Sequence, residues 1–437
     1  MTTGILQSIA HRDKLFKQQL GKNDASLSKA FRAYRNKVNR ICDAARDLDT
    51  YNSFKNIVDN PKKVWCKLNS KFLNKKHCAN ALPSELSEGR KLINDKREIV
   101  DKFNKYFVNK GHILASELPE PEVHVLQSMK PRNVNFITEW VKVHFQEIIK
   151  IIKDDIHASK STGFDGVPAV LIKWSAEFIA PILAIIFYTF IDLGQYPNLL
   201  KIAKVIALHK GGDRSKVENY RPISVLTHIN KIFEKLLHGR LSDFVNEHNI
   251  LENSQYGFRK GHSTSHGITH LHESILHSIE KKKVCVALFI DLKSAFDTIN
   301  HNILIEKLDH YGIRGNALDL LSSYLQDRKQ FIKGDGIESS ILRVLCGVPQ
   351  GSVLGPLLFI LYINDMVRVS DLGCSLFADD AVLTHCHSSI KQLERHFNTE
   401  VRKLHHWFIA NKLTLNLSKT KFMVFSKLRK KKAKEKK

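Results

Sequence analysis

Phe377-Ala378-Asp379-Asp380 lies between two short apolar runs, Cys374-Ser375-Leu376 and Ala381-Val382-Leu383. That pattern predicts a tight β-hairpin with the two acids at its tip. Adjacent carboxylates there repel each other unless a cation neutralises them. A third acid, Asp291, ends the run Val284-Cys285-Val286-Ala287-Leu288-Phe289-Ile290, whose continuous apolar character predicts a buried strand. Three carboxylates on adjoining strands predict a two-metal site. Such a site holds divalent ions about 3.5–4 Å apart, one activating an attacking oxygen and one stabilising the leaving oxygen of a phosphoryl displacement.

A bare Asp-Asp also suits a solvated turn. Its company decides the reading: Asp291-Leu-Lys-Ser-Ala-Phe-Asp297, then Gly347-Val-Pro-Gln-Gly-Ser352, then Phe377-Ala-Asp-Asp380, in that order. The set resembles the palm motifs of reverse transcriptases, specifically those of non-LTR (LINE-like, jockey-type) retrotransposons, over roughly Asn135 to Phe425. The resemblance implies an α+β right-hand polymerase, with an antiparallel palm sheet packed on helices, and fingers. It also implies RNA-directed addition of deoxynucleotides to a primer 3′-hydroxyl.

The chain as a whole agrees with a nucleic-acid partner. Lys and Arg outnumber Asp and Glu by 68 to 44, a net charge of +24, and a surplus of that size calls for a polyanion. At 437 residues with 43% hydrophobic content there is material for two or three domains. No membrane role is expected: Met1–Leu20 lacks the apolar core of a secretory signal, and Phe178–Leu193 is short and broken by Pro181 and Asp192, so it reads as a buried helix. Seven cysteines without a C-x-x-C pair suggest neither a disulfide framework nor a zinc ribbon, and hence a reducing, intracellular setting. His385-Cys386-His387 does not form one metal site in a strand, because neighbouring side chains alternate faces.

Three regions are expected: a helical basic N-terminal connector (1–134), a reverse transcriptase domain (135–426) and a basic tail (427–437). Within the domain, fingers are expected at about 150–260 and 300–345, and palm at about 261–299 and 346–426. Ser26–Asp47 has the spacing of an amphipathic helix, and Ile99, Val100, Phe103, Tyr106 and Phe107 that of a second. With Asp59–Trp65, this second helix resembles the connector between an endonuclease and the polymerase. Pro119, Pro121 and Pro131 mark the boundary, placed at 115–134. Phe136–Ile156 and Leu354–Ile363 read as helices, and Ser389 with Gln392 as a capping box for a long helix after the Asp pair. Lys160–Pro168 resembles a family turn signature, with Thr162 and Phe164 replacing two prolines.

The resemblance also assigns roles. Asp291 and Asp379, with Asp380 adjacent, hold two Mg2+ ions, and Mn2+ is a possible substitute; all-oxygen sites with substrate phosphates suit magnesium. Lys210 and Arg221 clamp the incoming triphosphate, one as a point charge and one as a bidentate fork. Phe296 is a steric gate against a 2′-hydroxyl, while Asp297 makes structural hydrogen bonds. Gln350 and Gly351 contact the nascent base pair. Gln255, Tyr256 and Arg259 face the nucleic acid near the template, where aromatic stacking is sequence-tolerant. Lys419 protonates the departing pyrophosphate.

The implied partners are an RNA template, a DNA primer or target, and deoxynucleoside triphosphates. No endonuclease is read upstream, and the chain stops soon after the palm, so the thumb is expected to be missing and a separate chain to supply thumb or nuclease. Two rivals follow: a catalytically impaired nucleic-acid-binding remnant, against which the intact acids argue, and a group II intron maturase-like enzyme. The tail suggests nuclear access for a nuclear or cytoplasmic ribonucleoprotein.

Overall fold

The computed structural model describes residues 3–19, 25–55, 64, 82–88, 91–133, 135–157, 161–334 and 336–426. The tail 427–437, most of Asp59–Trp65 and Lys160 lie outside them. The chain divides into two compact units, 1–79 and 80–437. In the first, helices Thr3–Gln19 and Ala25–Lys55 pair through apolar stripes, with Phe16 and Phe31 ring centroids 5.4 Å apart.

The second unit is α+β and carries a short hairpin, β1 (Leu86–Glu88) with β2 (Lys91–Ile93), and two main sheets. One is antiparallel and four-stranded, ordered β11-β5-β10-β9, from β5 (Val284–Ile290), β9 (Gly373–Phe377), β10 (Asp380–His387) and β11 (Lys421–Phe425). Helices Thr264–Glu280 and Ile390–Ala410 pack on it. The other joins β3 (Ile202–His209) and β4 (Tyr220–Val225) as a hairpin, with β6 (Lys329–Gly334), β7 (Ile337–Glu338) and β8 (Leu342–Arg343) beyond β3. The helix Leu354–Ile363 is apolar on every face because every face is buried, with Pro356 in its first turn, where the missing N–H costs nothing.

Three expectations change. Only Phe145–Asp154 of Phe136–Ile156 is helical, because the backbone of Ile137 pairs instead with the segment after Gly312: Ile137 N–H donates to Gly312 O (2.9 Å) and Arg314 N–H to Ile137 O (2.8 Å). The helix Ala176–Asp192 is buried on one face alone, with Phe178, Ile182 and Ile185 exposed. Ser389 does stand at the N-cap of Ile390–Ala410, but its side chain makes no capping hydrogen bond.

The helix Lys96–Ser116 belongs to the second unit, and the boundary expected at 115–134 falls inside that unit. Phe103 meets Tyr220 edge to face at 4.8 Å, and buried Asn104 donates to Ser340 O at 2.7 Å. A helix whose apolar face and buried amide are both satisfied by the β3–β6 sheet is part of that core.

Candidate active site

The acids are placed by strand register. Ala381 of β10 lies opposite Ile290 of β5, so Asp291 and the Asp379-Asp380 turn leave the sheet at the same end. Asp380 pairs with Phe377, which makes Ala378 and Asp379 the two turn residues. Ala378 has φ +56°, a region that costs a non-glycine residue about 1–2 kcal/mol. Buried Gln255 holds it there: its Oε1 accepts from Ala378 N–H (3.2 Å) and Gly257 N–H (2.8 Å). Gly257 has no room for a side chain, since a Cβ would stand 2.3 Å from Ala378 N.

Asp291 is positioned by Asn416, whose Nδ2 donates to Asp291 Oδ2 (2.6 Å) and whose backbone N–H donates to Asp291 O (2.8 Å). Burial, and then the charges of Asp380 and Asp291, push the Asp379 carboxyl above its ordinary range. Burial disfavours the charged carboxylate, and like charges beside it disfavour it further.

Asp291 and Asp379 line a cleft of about 690 Å3 together with Lys210, Arg221, Phe296, Gln350, Gly351 and Lys419. Lys210 and Arg221 stand on the two arms of the β3–β4 hairpin, where Leu208 faces Arg221. Phe296 stacks on buried Phe359 (4.7 Å, 23°) and meets Phe258 edge to face (6.2 Å). Gln350 Nε2 donates to Asp297 Oδ1 (2.7 Å). Burial raises the Asp297 carboxyl, opposed by that hydrogen bond and by Lys110, Lys210 and Arg221. Gly351, at φ +117°, would drive a Cβ to 2.6 Å from Ser224 O. Below this loop buried Glu234 accepts from the Val353 N–H (2.5 Å), an anion set at the start of the helix Leu354–Ile363.

Four expected site residues lie elsewhere. Asp380 is solvent-exposed and does not line the cleft. Gln255, expected to face nucleic acid, is fully buried and braces the Asp hairpin instead. Arg259 donates to the carbonyls of Glu252 (2.9 Å) and Gln255 (3.2 Å), which ties its guanidinium to its own loop. Tyr256 packs against the helix Thr264–Glu280, near His270 and Gly267. A polar or aromatic side chain in a motif looks alike in sequence whether it turns inward or outward, so burial alone separates these cases.

Sequence reasoning gave no site role to Tyr106, Lys110 and Asn416, all of which line the cleft, as does Phe258. Lys110 carried no signal beyond charge, and Asn416 none beyond its place three residues before Lys419. His385, Cys386 and His387 face different neighbours: His385 meets His396 (4.4 Å), Cys386 accepts from Ser278 Oγ (2.9 Å), and His387 accepts from Ser389 N–H (2.9 Å). Among the described residues Asp371, His396 and Glu400 bring ligand atoms within 4.8 Å of one another, but Lys403 Nζ already sits 2.7 Å from Glu400 Oε1. Among the described residues no helix is long and apolar enough to cross a membrane.

Comparison with known proteins agrees with the cleft. The model of the reverse transcriptase (RNA-dependent DNA polymerase) family matches residues 208–436. A probable RNA-directed DNA polymerase from transposon BS of Drosophila melanogaster is 33% identical over 287 residues, 61% of this chain and 31% of that protein. The RNA-directed DNA polymerase from mobile element jockey of the same species is 32% identical over 248 residues, 54% of this chain and 27% of that protein. The match to the one from transposon X-element, at 34%, spans 26% of that protein, so the chain aligns with less than a third of each relative. With the family model covering more than half of its residues, and the motif acids gathered at one end of an antiparallel sheet, the chain belongs to the reverse transcriptase family, that of palm-and-fingers RNA-directed DNA polymerases, and within it to the non-LTR, jockey-like kind.

Proposed function

We propose that the chain carries the polymerase of a non-LTR retrotransposon and extends a DNA primer on an RNA template. The observation that carries this reading is the pairing, across one cleft, of Asp291 and Asp379 with Lys210 and Arg221. In this reading the four-stranded sheet is the palm and the β3–β4 hairpin belongs to the fingers.

The donor set fits a hard divalent cation. The cleft is lined by carboxylate, amide and carbonyl oxygens and by neither histidine nor cysteine. Such a set favours Mg2+, with Mn2+ able to substitute. Asp291 and Asp379 are the residues that would hold two ions, with Asp380 adjacent. When bound, the ions supply charge stabilisation to the attacking and leaving oxygens.

The chain's own residues do the rest. Lys210 and Arg221 hold the triphosphate by charge and by a forked hydrogen-bond pattern. Phe296, pinned by Phe359, presents a rigid wall where an added hydroxyl would collide. Gln350, locked to Asp297, and Gly351, locked to Ser224, set the surface under the nascent pair. Exposed Lys419, at the cleft rim, donates a proton to the leaving pyrophosphate. The basic surplus steers the complex to nucleic acid and admits it to the nucleus.

The deciding experiment is primer extension on a homopolymer RNA with a DNA primer, deoxynucleoside triphosphates and Mg2+. Metal-dependent extension is expected. Tight RNA binding with no incorporation in Mg2+ or Mn2+ would replace this reading with the nucleic-acid-binding remnant.

A further inference from the structure

We propose that Lys110, on the helix Lys96–Ser116, is a third ligand for the phosphates of the incoming nucleotide, acting beside Lys210 and Arg221. The proposal rests on the polymerase reading but names a residue that reading does not contain. The helix lies wholly before the segment matched by the family model, residues 208–436.

The placement of Lys110 is rigid. Its neighbour Gly111 lets the helix touch the loop after β5, because a Cβ there would lie 2.0 Å from Asp297 O and 2.6 Å from Cys346 Sγ. Nearly two turns back, Asn104 and Gln330 are joined by two hydrogen bonds: Gln330 Nε2 donates to Asn104 Oδ1 at 3.1 Å, and Asn104 Nδ2 donates to the Gln330 backbone carbonyl at 3.3 Å. The helix therefore cannot rotate or lift without breaking a close backbone contact and a buried polar pair. That fixes where a lysine at position 110 projects. Its ammonium lies 5.4 Å from the centroid of the Tyr106 ring, also at the cleft wall. A cation over an aromatic face is held in direction without being neutralised.

The charges around it lack partners. Among the described residues none of Lys110, Lys210 and Arg221 has a carboxylate within 4.0 Å, yet all three line the same cleft. They feel one another. Partial burial, then Lys110 and Arg221, hold the Lys210 ammonium below its ordinary value. Burial also lowers Lys110, with Asp297 pulling it up and Arg221 pushing it down. Mutual repulsion of these three cations in a shared, partly desolvated cleft raises its free energy, since the carboxylates that also line it, Glu218, Asp291, Asp297 and Asp379, stay outside ion-pair distance of them. A dense polyanion lowers it again, and a metal-bound triphosphate next to Asp291 and Asp379 supplies several charges where a nucleic-acid backbone supplies one per residue.

The test uses Lys110→Met, which keeps the aliphatic stem against Tyr106 and removes the charge. With wild-type protein as reference, the KM for the deoxynucleotide should rise about tenfold, the effect of one charge-assisted contact of ~1.4 kcal/mol, while kcat changes far less. Product inhibition by pyrophosphate should weaken by a similar factor. Lys110→Arg should recover most of both effects, and Lys105→Met, on the exposed side of the same helix, should leave both unchanged.

An unchanged KM and pyrophosphate inhibition would overturn the proposal. So would a loss of primer-template affinity at constant KM, which would make Lys110 a nucleic-acid contact. If the wild-type protein does not extend a primer, the polymerase reading fails by itself. Calorimetric titration of dTTP with Mg2+ then decides the Lys110 contact without turnover: tenfold weaker binding by Lys110→Met supports it, and equal binding refutes it.

Discussion

The β9–β10 hairpin carries a cluster of acidic groups at each end, and the two are solved differently. At one end Glu400 and Asp371 approach His396, and the chain brings its own cation, Lys403, to 2.7 Å from the buried Glu400 carboxylate. A backbone N–H, that of Asp371, completes the Glu400 shell at 3.0 Å. At the other end Asp291, Asp379 and Asp380 have no ion-pair partner within 4.0 Å among the described residues, although Lys210 and Arg221 line the same cleft as Asp291 and Asp379. Neutralised charge is architecture. Unneutralised charge held in place by a strained turn and a buried glutamine is a site for something that arrives later.

The contrast is easiest to break at Asp379. Asp379→Asn should lower kcat for extension about a thousandfold or more, equivalent to ~4 kcal/mol of transition-state stabilisation, with RNA affinity nearly intact. Glu400→Gln, at the neutralised end, should leave extension within a few-fold and act on thermal stability instead. Equal losses of activity in the two variants would erase the distinction.

A smaller effect is expected at the aromatic wall of the open end. Phe296→Val should raise relative ribonucleotide incorporation by roughly ten- to several-hundred-fold, since ~1.4 kcal/mol is already tenfold. Deoxynucleotide extension should suffer far less. An unchanged ratio, measured by steady-state incorporation of a matched pair opposite one template base, would make Phe296 a packing residue only.

Gln255→Ala probes how the open end is held. It strips the buried Ala378 N–H of its acceptor, at a cost of about 1–3 kcal/mol, and frees a turn whose φ is +56°. Both thermal stability and extension should fall, the latter about tenfold, because misplacing a reacting group by an ångström is costly. RNA affinity unchanged in this variant would confirm that Gln255 braces the hairpin and does not touch the template; a selective loss of RNA affinity with normal stability would reverse that reading.

The mildest signal is the pH dependence of the open end. Burial and neighbouring acids raise the folded Asp379 carboxyl, so its contribution to stability is fully present below the unfolded pKa and is lost as pH rises through the folded value. Metal-free protein should therefore melt slightly lower as pH climbs above the ordinary aspartate range. Added Mg2+ should reverse that slope, because the ion competes with protons for the same oxygens. A metal-independent melting curve across this range would show that the acids do not share an ion.

Much of the site was legible because its physics is local. The apolar run ending in Asp291 and the paired runs around Asp379 announce strands with acids at their ends, and two strands of one sheet bring such acids together by register alone. Gly351 announces close backbone approach in the same way. Gln255 and Arg259 were misread for the converse reason. Their side chains satisfy backbone groups of their own loop and, for Gln255, of the Asp379 turn, and nothing in a linear motif records which way a side chain turns.

The sequence by itself determined the fold class, the family, the acids at the strand ends and the basic character of their surroundings, since hydrophobic periodicity, motif order and charge count are properties of the chain. The tertiary structure decided which charges meet. It placed the helix Lys96–Ser116 within the second unit, brought Lys110 to the cleft and turned Gln255 inward, while leaving Asp291 and Asp379 without an ion-pair partner among the described residues. These outcomes depend on contacts between segments hundreds of residues apart, such as Asn104 with Gln330 and Gly111 with Asp297, and packing at that separation is specified by the whole core at once.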